Sequence, residues 1–318
     1  MTDGAFRLGM IGAGRMGRTH LRALAGSSSV VVTSIAEPVA AAHHAVEAPG
    51  RRIFASAADL LDAGGIDGVL ITAPSDLHME LITQVAAAGL PILCEKPCGL
   101  SSGELQQARE ATERHGVPIQ VAYWRRYVPV LQALRTRIEQ GELGEPHLFA
   151  SFQWDGAPPS DMFRAHSGGI FRDMGVHEFD QVRWLSGQEF GDISVISSPA
   201  IEVVGVWTDV DSAQAIATLS GGASAFVSLG RYFPVGDMAR IEVFGTRDAV
   251  RCDFLDPADG EQAQLDALVR QAEGFATYAR GGQITGASIE DAAAALDAAE
   301  RAAAAILPLR LPIGSGTK

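Results

Sequence analysis

Three short stretches of the chain hold residues whose types and spacing could do chemistry. Gly12-Ala13-Gly14-Arg15-Met16-Gly17 has the spacing G-x-G-x-x-G. Placed after an apolar run and at the head of a helical pattern, such a loop lets the backbone approach a pyrophosphate. The free N–H groups and partial positive charge of the helix terminus then hold it. Gly12 permits the tight turn, Gly14 the close approach, and Gly17 the contact between helix and strand. Glu37 follows at about the 20-residue distance expected of an acid that accepts hydrogen bonds from both ribose hydroxyls and repels a 2′-phosphate. The expected cofactor is therefore NAD, with NADP less favoured and left open only by Arg15 and Arg18 nearby. The second stretch, Glu95-Lys96-Pro97, closes the apolar run Pro91–Cys94. A lysine at the carboxyl end of a parallel strand can hydrogen-bond a substrate oxygen and stabilise developing negative charge. Position alone fits a solvated strand-end lysine equally well. In the third stretch Asp173, His177 and Asp180 fall at i, i+4 and i+7, one face of a helix. A carboxylate one turn from an imidazole orients it and holds its charged form. That suits a proton acceptor, which alcohol oxidation by hydride transfer needs. On spacing alone a solvated Asp–His pair is the commoner outcome.

The elements that must position these residues follow from hydrophobic periodicity. The first ~120 residues alternate apolar runs with amphipathic stretches, the βαβ pattern of a parallel sheet. Strands are expected at Phe6–Ile11, Val30–Ala36, Gly68–Thr72, Pro91–Cys94 and Val117–Ala122, with helices at Gly14–Ala25, Ala57–Ala63, Asp76–Ala88 and Ser102–His115. Ser101 and Glu104 supply a start signal for the last of these, and Gly116 a stop. After Tyr123 a helix at Val130–Gln140 leads into strands at His147–Asp155, Ile193–Ser197, Ile201–Trp207, Ser212–Leu219, Ala223–Leu229, Arg240–Phe244 and Ala249–Phe254. Short turns between them imply an antiparallel or mixed sheet. A helix at about Gly169–Leu185 interrupts this half, and helices return at Leu265–Arg280 and Ile289–Ile306. The expected class is α/β: a doubly wound dinucleotide-binding domain over residues 1–122, then a second α/β domain over 123–318, its last helix able to pack back on the first.

Composition sets the outer limits. The chain has 318 residues, 47% hydrophobic and 20% charged, enough for packed cores. Its net charge of −13 lacks an offsetting basic cluster, so nucleic acid and anionic membrane surfaces are not expected partners. Cys94, Cys98 and Cys252 form no disulfide framework and no metal motif, so buried thiols, a reducing cytoplasmic setting and no metal are expected. The amino terminus lacks a leader pattern, and no apolar run reaches the ~18 residues of a membrane span. His43 and His44 read as solvated, and His20 has no evident chemical role. H-E-x-x-H, Walker and G-x-S-x-G motifs do not occur.

Taken in order, these motifs resemble the glucose–fructose oxidoreductase / inositol dehydrogenase / MocA family. The resemblance runs through nearly the whole chain: the Gly12–Gly17 loop, Thr72-Ala73-Pro74-Ser75-Asp76-Leu77-His78, Cys94-Glu95-Lys96-Pro97, Arg125-Arg126-Tyr127-Val128-Pro129, Gly141-Glu142-Leu143-Gly144-Glu145-Pro146, and the Gly-Gly…Asp173…His177…Asp180 segment. Within the family the sequence is most similar to inositol 2-dehydrogenases. The resemblance implies a Rossmann domain followed by an α/β domain with a large, open, mostly antiparallel sheet that often mediates dimers or tetramers. It implies NAD-dependent oxidation of a secondary hydroxyl on a cyclic polyol or sugar, with Lys96, Asp173 and His177 as the catalytic set. Cofactor contacts would come from Gly12, Gly14, Arg15, Met16, Gly17, Glu37, Thr72, Pro74, His78, Glu95 and Lys96. Substrate contacts would come from Lys96, Trp124, Arg125, Gln153, Asp173, His177, Asp180 and Tyr232. Gln153 stands where some inositol dehydrogenases carry a histidine, which leaves the polyol open. So do three rivals: redox-assisted glycoside cleavage, a sugar-phosphate or aminosugar dehydrogenase, and a non-enzymatic sensor.

Overall fold

The computed structural model describes residues 4–160, 164, 167–198, 209–258 and 261–306. The chain forms two compact units, one of residues 1–140 and 258–297, the other of residues 141–257 and 298–318.

The first unit is built on six parallel strands: β1 (Phe6–Ile11), β2 (Val30–Ala36), β3 (Arg52–Phe54), β4 (Gly68–Ile71), β5 (Ile92–Cys94) and β6 (Ile119–Val121). Their order is β3-β2-β1-β4-β5-β6. That is the doubly wound order, which reverses between β1 and β4 and opens a ligand crevice beyond the strands' carboxyl ends. Both faces of such a sheet are covered, so its central strands are mostly apolar; Leu8, Met10, Ile35, Leu70 and Leu93 are fully buried. The helices are α1 (Arg15–Leu24), α2 (Ala57–Ala63), α3 (His78–Ala87), α4 (Ser102–His115) and α5 (Pro129–Glu139). Helix α4 shows how local signals set the bounds. Ser101 Oγ accepts from the Glu104 N–H at 3.3 Å, Glu104 returns a carboxylate oxygen to the Leu100 N–H at 2.7 Å, and Gly116 ends the helix in the left-handed region.

Two later helices, α7 (Gln262–Ala279) and α8 (Ile289–Ala304), begin in this unit. Phe275, Ala272 and Ala276 of α7 join the core of Phe6, Leu8 and Met10, with the Phe275 ring edge-on to Phe6 at 5.8 Å. The division falls after Gln140 rather than at residue 122. The turn Trp124–Tyr127 is buried against the later segment, where Arg126 pairs with Asp291 at 3.0 Å and Tyr127 Oη meets Thr285 Oγ1 at 3.1 Å.

The second unit carries β7 (Pro146–Trp154), β8 (Phe190–Ser198), β9 (Ser212–Leu219), β10 (Ser224–Gly230), β11 (Met238–Gly245) and β12 (Ala249–Leu255), in the order β12-β11-β7-β10-β9-β8. Only β7 and β10 run parallel; the other four pairs are antiparallel. Strands here alternate, as a sheet covered on one face must. Phe149, Ser151, Ala215, Val227 and Val243 are buried on one face, while Ile196 and Ile216 on the other are 72% and 57% exposed. The expected strand Ile201–Trp207 lies outside the described residues. The single helix expected at Gly169–Leu185 is interrupted: Phe171–Gly175 form one wide π-helical turn, and α6 (Val176–Ser186) continues from it to Gly187. Periodicity read along the sequence cannot register such a widening, which adds a residue to one turn without changing the pattern on either side.

Candidate active site

In the first unit the glycines do distinct work. Gly12 sits at φ +96°, and a Cβ there would lie 2.7 Å from the Ala73 nitrogen. A Cβ on Gly17 would strike the Gly12 carbonyl oxygen at 2.4 Å, so helix α1 can approach β1 this closely only without one. A Cβ on Gly14 would meet nothing within 4 Å. That open space, at the N-cap of α1, is where a pyrophosphate could lie against backbone N–H groups. Glu37, buried at the end of β2, accepts from the Ala13 N–H (2.8 Å) and the Val39 N–H (2.9 Å). Its carboxylate is thereby fixed beside the loop. His43 is half-buried rather than solvated, because its Nε2 donates to the Glu37 carbonyl at 2.7 Å. Thr72 Oγ1 donates to the Gly12 carbonyl at 2.7 Å and ties β4 to the same loop. Arg15 and Pro74 are exposed and Met16 is half-buried.

At the end of β5 the Glu95-Lys96-Pro97 turn is braced from two sides. Buried His78 sets Nδ1 2.8 Å from the Pro97 carbonyl oxygen and Nε2 2.9 Å from that of Ala73. Buried His20 on α1 sets Nε2 2.7 Å from Glu95 Oε1, and the Lys96 N–H donates to Glu95 Oε2 at 3.2 Å. Burial pushes the Glu95 carboxyl up, but the hydrogen bond and charge of His20, with Lys96 beside them, outweigh it and hold the group below the usual range. Lys96 is half-buried on this fixed turn. Trp124 and Arg125 are buried just beyond β6, with the guanidinium 5.9 Å from the indole ring. Cys94 and Cys98 are buried free thiols, and burial with the Cys98 thiol alongside raises Cys94 well above its ordinary value. Among the described residues no group of three His, Cys, Asp or Glu could hold a metal ion.

In the second unit the polar stripe is not a solvated face. His177 is 7% exposed and Asp180 1%, with every residue from Met174 to Val182 buried. Helix α6 is pinned to the sheet by Glu178, which accepts from Ser151 Oγ, and by Gln181, which donates to the same hydroxyl at 3.4 Å. Asp173, on the wide turn, accepts from Arg231 Nη1 at 3.1 Å. Gln153, half-buried on β7, donates to Asp155 Oδ1 at 3.3 Å. Burial pushes the Asp155 carboxyl up to about 6; the Gln153 hydrogen bond and the Arg231 charge oppose the shift, while Asp237 and Asp173 add to it. Tyr232 is half-buried after β10.

Residues 6–123 match the model of an oxidoreductase family with an NAD-binding Rossmann fold, and residues 131–251 match its Gfo/Idh/MocA C-terminal domain. The chain belongs to the Gfo/Idh/MocA oxidoreductase family. It is 48% identical over 297 residues to the rhizopine catabolism protein MocA of Rhizobium meliloti, covering 93% of this chain and 94% of that one. It is 34% identical over 269 residues to an inositol 2-dehydrogenase of the same species (strain 1021), covering 83% and 80%. A solved myo-inositol dehydrogenase from Corynebacterium glutamicum superposes with a TM-score of 0.86 at 25% identity, over 95% and 96% of the two chains.

As a Gfo/Idh/MocA oxidoreductase the protein is an NAD-dependent enzyme, and the loop geometry fits that cofactor: an open N-terminus at Gly14 and a fixed carboxylate at Glu37. The structure ties Glu37 and Thr72 directly to the Gly12–Gly17 loop and braces the Lys96 turn at the end of β5. The sequence did not single out Asp155, Asp209, Asp211 and Arg231, and it marked Arg164 only as a possible partner for a substrate phosphate, where the structure pairs it with Asp209 and Asp211. The one signal that could have marked Arg231 is its place as a lone arginine ending the apolar strand Ser224–Gly230.

Proposed function

We propose that this oxidoreductase oxidises a secondary hydroxyl of a cyclic polyol of the inositol type. The burial of His177 and Asp180 on a helix that starts from an ion-paired Asp173 carries this reading. An imidazole shielded from water, with a carboxylate one turn away, is suited to taking a proton and is wasted on a surface. The relatives named as inositol dehydrogenases support the choice of polyol. When bound, NAD supplies the hydride acceptor. The chain's own residues do the remainder. Gly12–Gly17 and Glu37 fix the dinucleotide; Lys96, held by the braced turn, hydrogen-bonds the reacting oxygen and stabilises its developing negative charge; His177, oriented by Asp173, takes the hydroxyl proton. Trp124, Arg125, Gln153, Asp180 and Tyr232 are assigned to the remaining hydroxyls. The cofactor set includes Arg15, Met16, Pro74, His78 and Glu95 as contacts or supports.

The enzyme is further assigned to the cytoplasm and to a homo-oligomer, dimer or tetramer. The open face of the second sheet supports assembly: Phe152 and Phe226 stack edge-on at 5.6 Å there, beside Ile196, Ile216 and Phe244, each exposed. Among the described residues no helix is long and apolar enough to cross a membrane. The test is formation of reduced nicotinamide from NAD, then NADP, against inositol isomers, aldoses and glycosides. Turnover with an inositol and NAD is the expected outcome. Activity confined to glycosides without net reduction, or silence across the panel with NAD bound, would overturn it.

A further inference from the structure

Among the described residues Arg231 is the largest fully buried side chain, and no part of the mechanism above uses it. It follows β10 directly, and its backbone N–H donates to the Asp211 carbonyl at 2.8 Å. Its guanidinium has two carboxylate partners: Nη1 donates to Asp173 Oδ2 at 3.1 Å, and Nε lies 3.0 Å from Asp209 Oδ2. Asp209 is shared in turn. Arg164 Nε donates to its Oδ2 at 2.9 Å, the Ile170 N–H donates to its Oδ1 at 2.8 Å, and Arg164 Nη2 reaches Asp211 Oδ1 at 3.1 Å. The side chains of Arg231, Asp209, Arg164 and Asp211 are all at most 6% exposed; only Asp173, at 14%, reaches towards the rim of the network.

We propose that Arg231 is the positioning residue for the proton acceptor, fixing the Asp173 carboxylate and moderating the negative charge it presents to His177. An arginine cannot shed its proton, so a guanidinium with no exposed surface must keep carboxylate partners. A purely structural network could have been closed by its buried members. Here one donor is directed instead to the most exposed acid, which is the residue assigned to orient His177. Holding Oδ2 sets the plane of the carboxylate and with it the direction in which Oδ1 accepts. The Asp209 bond to the Ile170 N–H anchors the start of the wide turn, so Asp173 is fixed through both its side chain and its backbone. The charge has a second consequence. A lone aspartate would hold His177 in its charged form, useless as an acceptor; a shared aspartate holds it less strongly. Negative charges near Asp173 and Arg231 include Asp155, which follows β7, and Asp209 beside the turn, while Glu178 and Asp180 share α6 with His177. Arg172 lies next to Asp173 in sequence and pairs with Glu300 at 3.5 Å. Arg231 is a cation in direct contact with Asp173 Oδ2.

This inference rests on Asp173 and His177 serving as proposed, and three variants separate the two claims. Arg231→Lys keeps the charge and loses the planar fork. It should fold, keep the acid limb of the kcat/KM pH profile in place, and lose kcat by about tenfold with KM little changed. Arg231→Gln removes the charge and should move that limb to higher pH by on the order of one unit. Imidazole NMR titration of His177 without cofactor or substrate should follow the same shift. A purely structural role would lower the folded fraction and leave both limbs where they are. Wild-type kcat in Arg231→Lys, or a displaced limb in that variant, would overturn the inference, and Arg231→Lys remains decisive if the glutamine variant does not fold. Full turnover in His177→Ala would instead defeat the underlying reading.

Discussion

The rim of the first sheet and the polar helix of the second unit are built by opposite means. Around Gly12–Gly17, Thr72 and Lys96, position is set by backbone: a positive φ at Gly12, a helix pressed on a carbonyl at Gly17, and a turn held by His78 and Glu95. Around Asp173, on the turn that leads into the helix of His177, position is set by charge, through Arg231, Arg164, Asp209 and Asp211. Backbone constraints are short-ranged and tolerate little change at a few glycines. A charge network spans distant segments and can be altered by degrees. The first suits a ligand that is the same in every turnover, and the second suits a group whose basicity must be tuned.

Within the first unit, the largest effect that could break this contrast is on Lys96. Lys96→Met should lower kcat by ~10²–10³ while NAD affinity changes little, since the braced turn remains and only the donor to the substrate oxygen is lost. Single-turnover kinetics beside a fluorescence titration with NAD would check it. A large loss of NAD affinity would show that the lysine belongs to the dinucleotide site instead. Next is a pair of glycines. Gly17→Ala places a Cβ on the Gly12 carbonyl and should cost about 1–3 kcal/mol in denaturant unfolding. Gly14→Ala meets open space, so it should leave stability alone and weaken NAD binding. Equal stability loss in the two would remove the distinction between a packing glycine and a ligand-facing one.

The smallest effect concerns Asp155. Its carboxyl titrates near 6 in the folded protein, above the unfolded value, so its contribution to stability is present at low pH and is lost as pH rises from about 4 through 6. Asp155→Asn should therefore raise Tm by a few degrees at pH 8 and gain little at pH 4. Differential scanning calorimetry at the two values decides it, and a lower Tm at pH 8 would mean that the ionised carboxylate is held by partners that outweigh its desolvation.

The same contrast explains what the sequence revealed. The loop, Glu37, the Glu-Lys-Pro turn and the caps of α4 lie within a few residues of the structure they dictate, so each could be read in place. Strand β3 escaped because Arg52–Phe54 is three residues long and shows no period. The wide turn at Phe171–Gly175 escaped because apolar spacing continues across it. Arg231 escaped for a deeper reason. Its partners lie at positions 173 and 209, and only the pairing of β7 with β10 and β9 with β10 brings those segments to one end of the sheet. A charged residue in a turn between strands reads as solvated until the topology is known. Asp173, His177 and Asp180 were visible as a pattern, but the burial of His177 and Asp180, which carries the functional reading, was not.

The most direct test of the account is to measure kcat and NAD affinity together in His177→Ala. The account predicts a fall in kcat of ~10²–10⁴ with an inositol substrate and an NAD dissociation constant within about twofold of wild type. Parallel loss of both, or turnover that survives the substitution, would contradict the assignment of proton chemistry to the second unit.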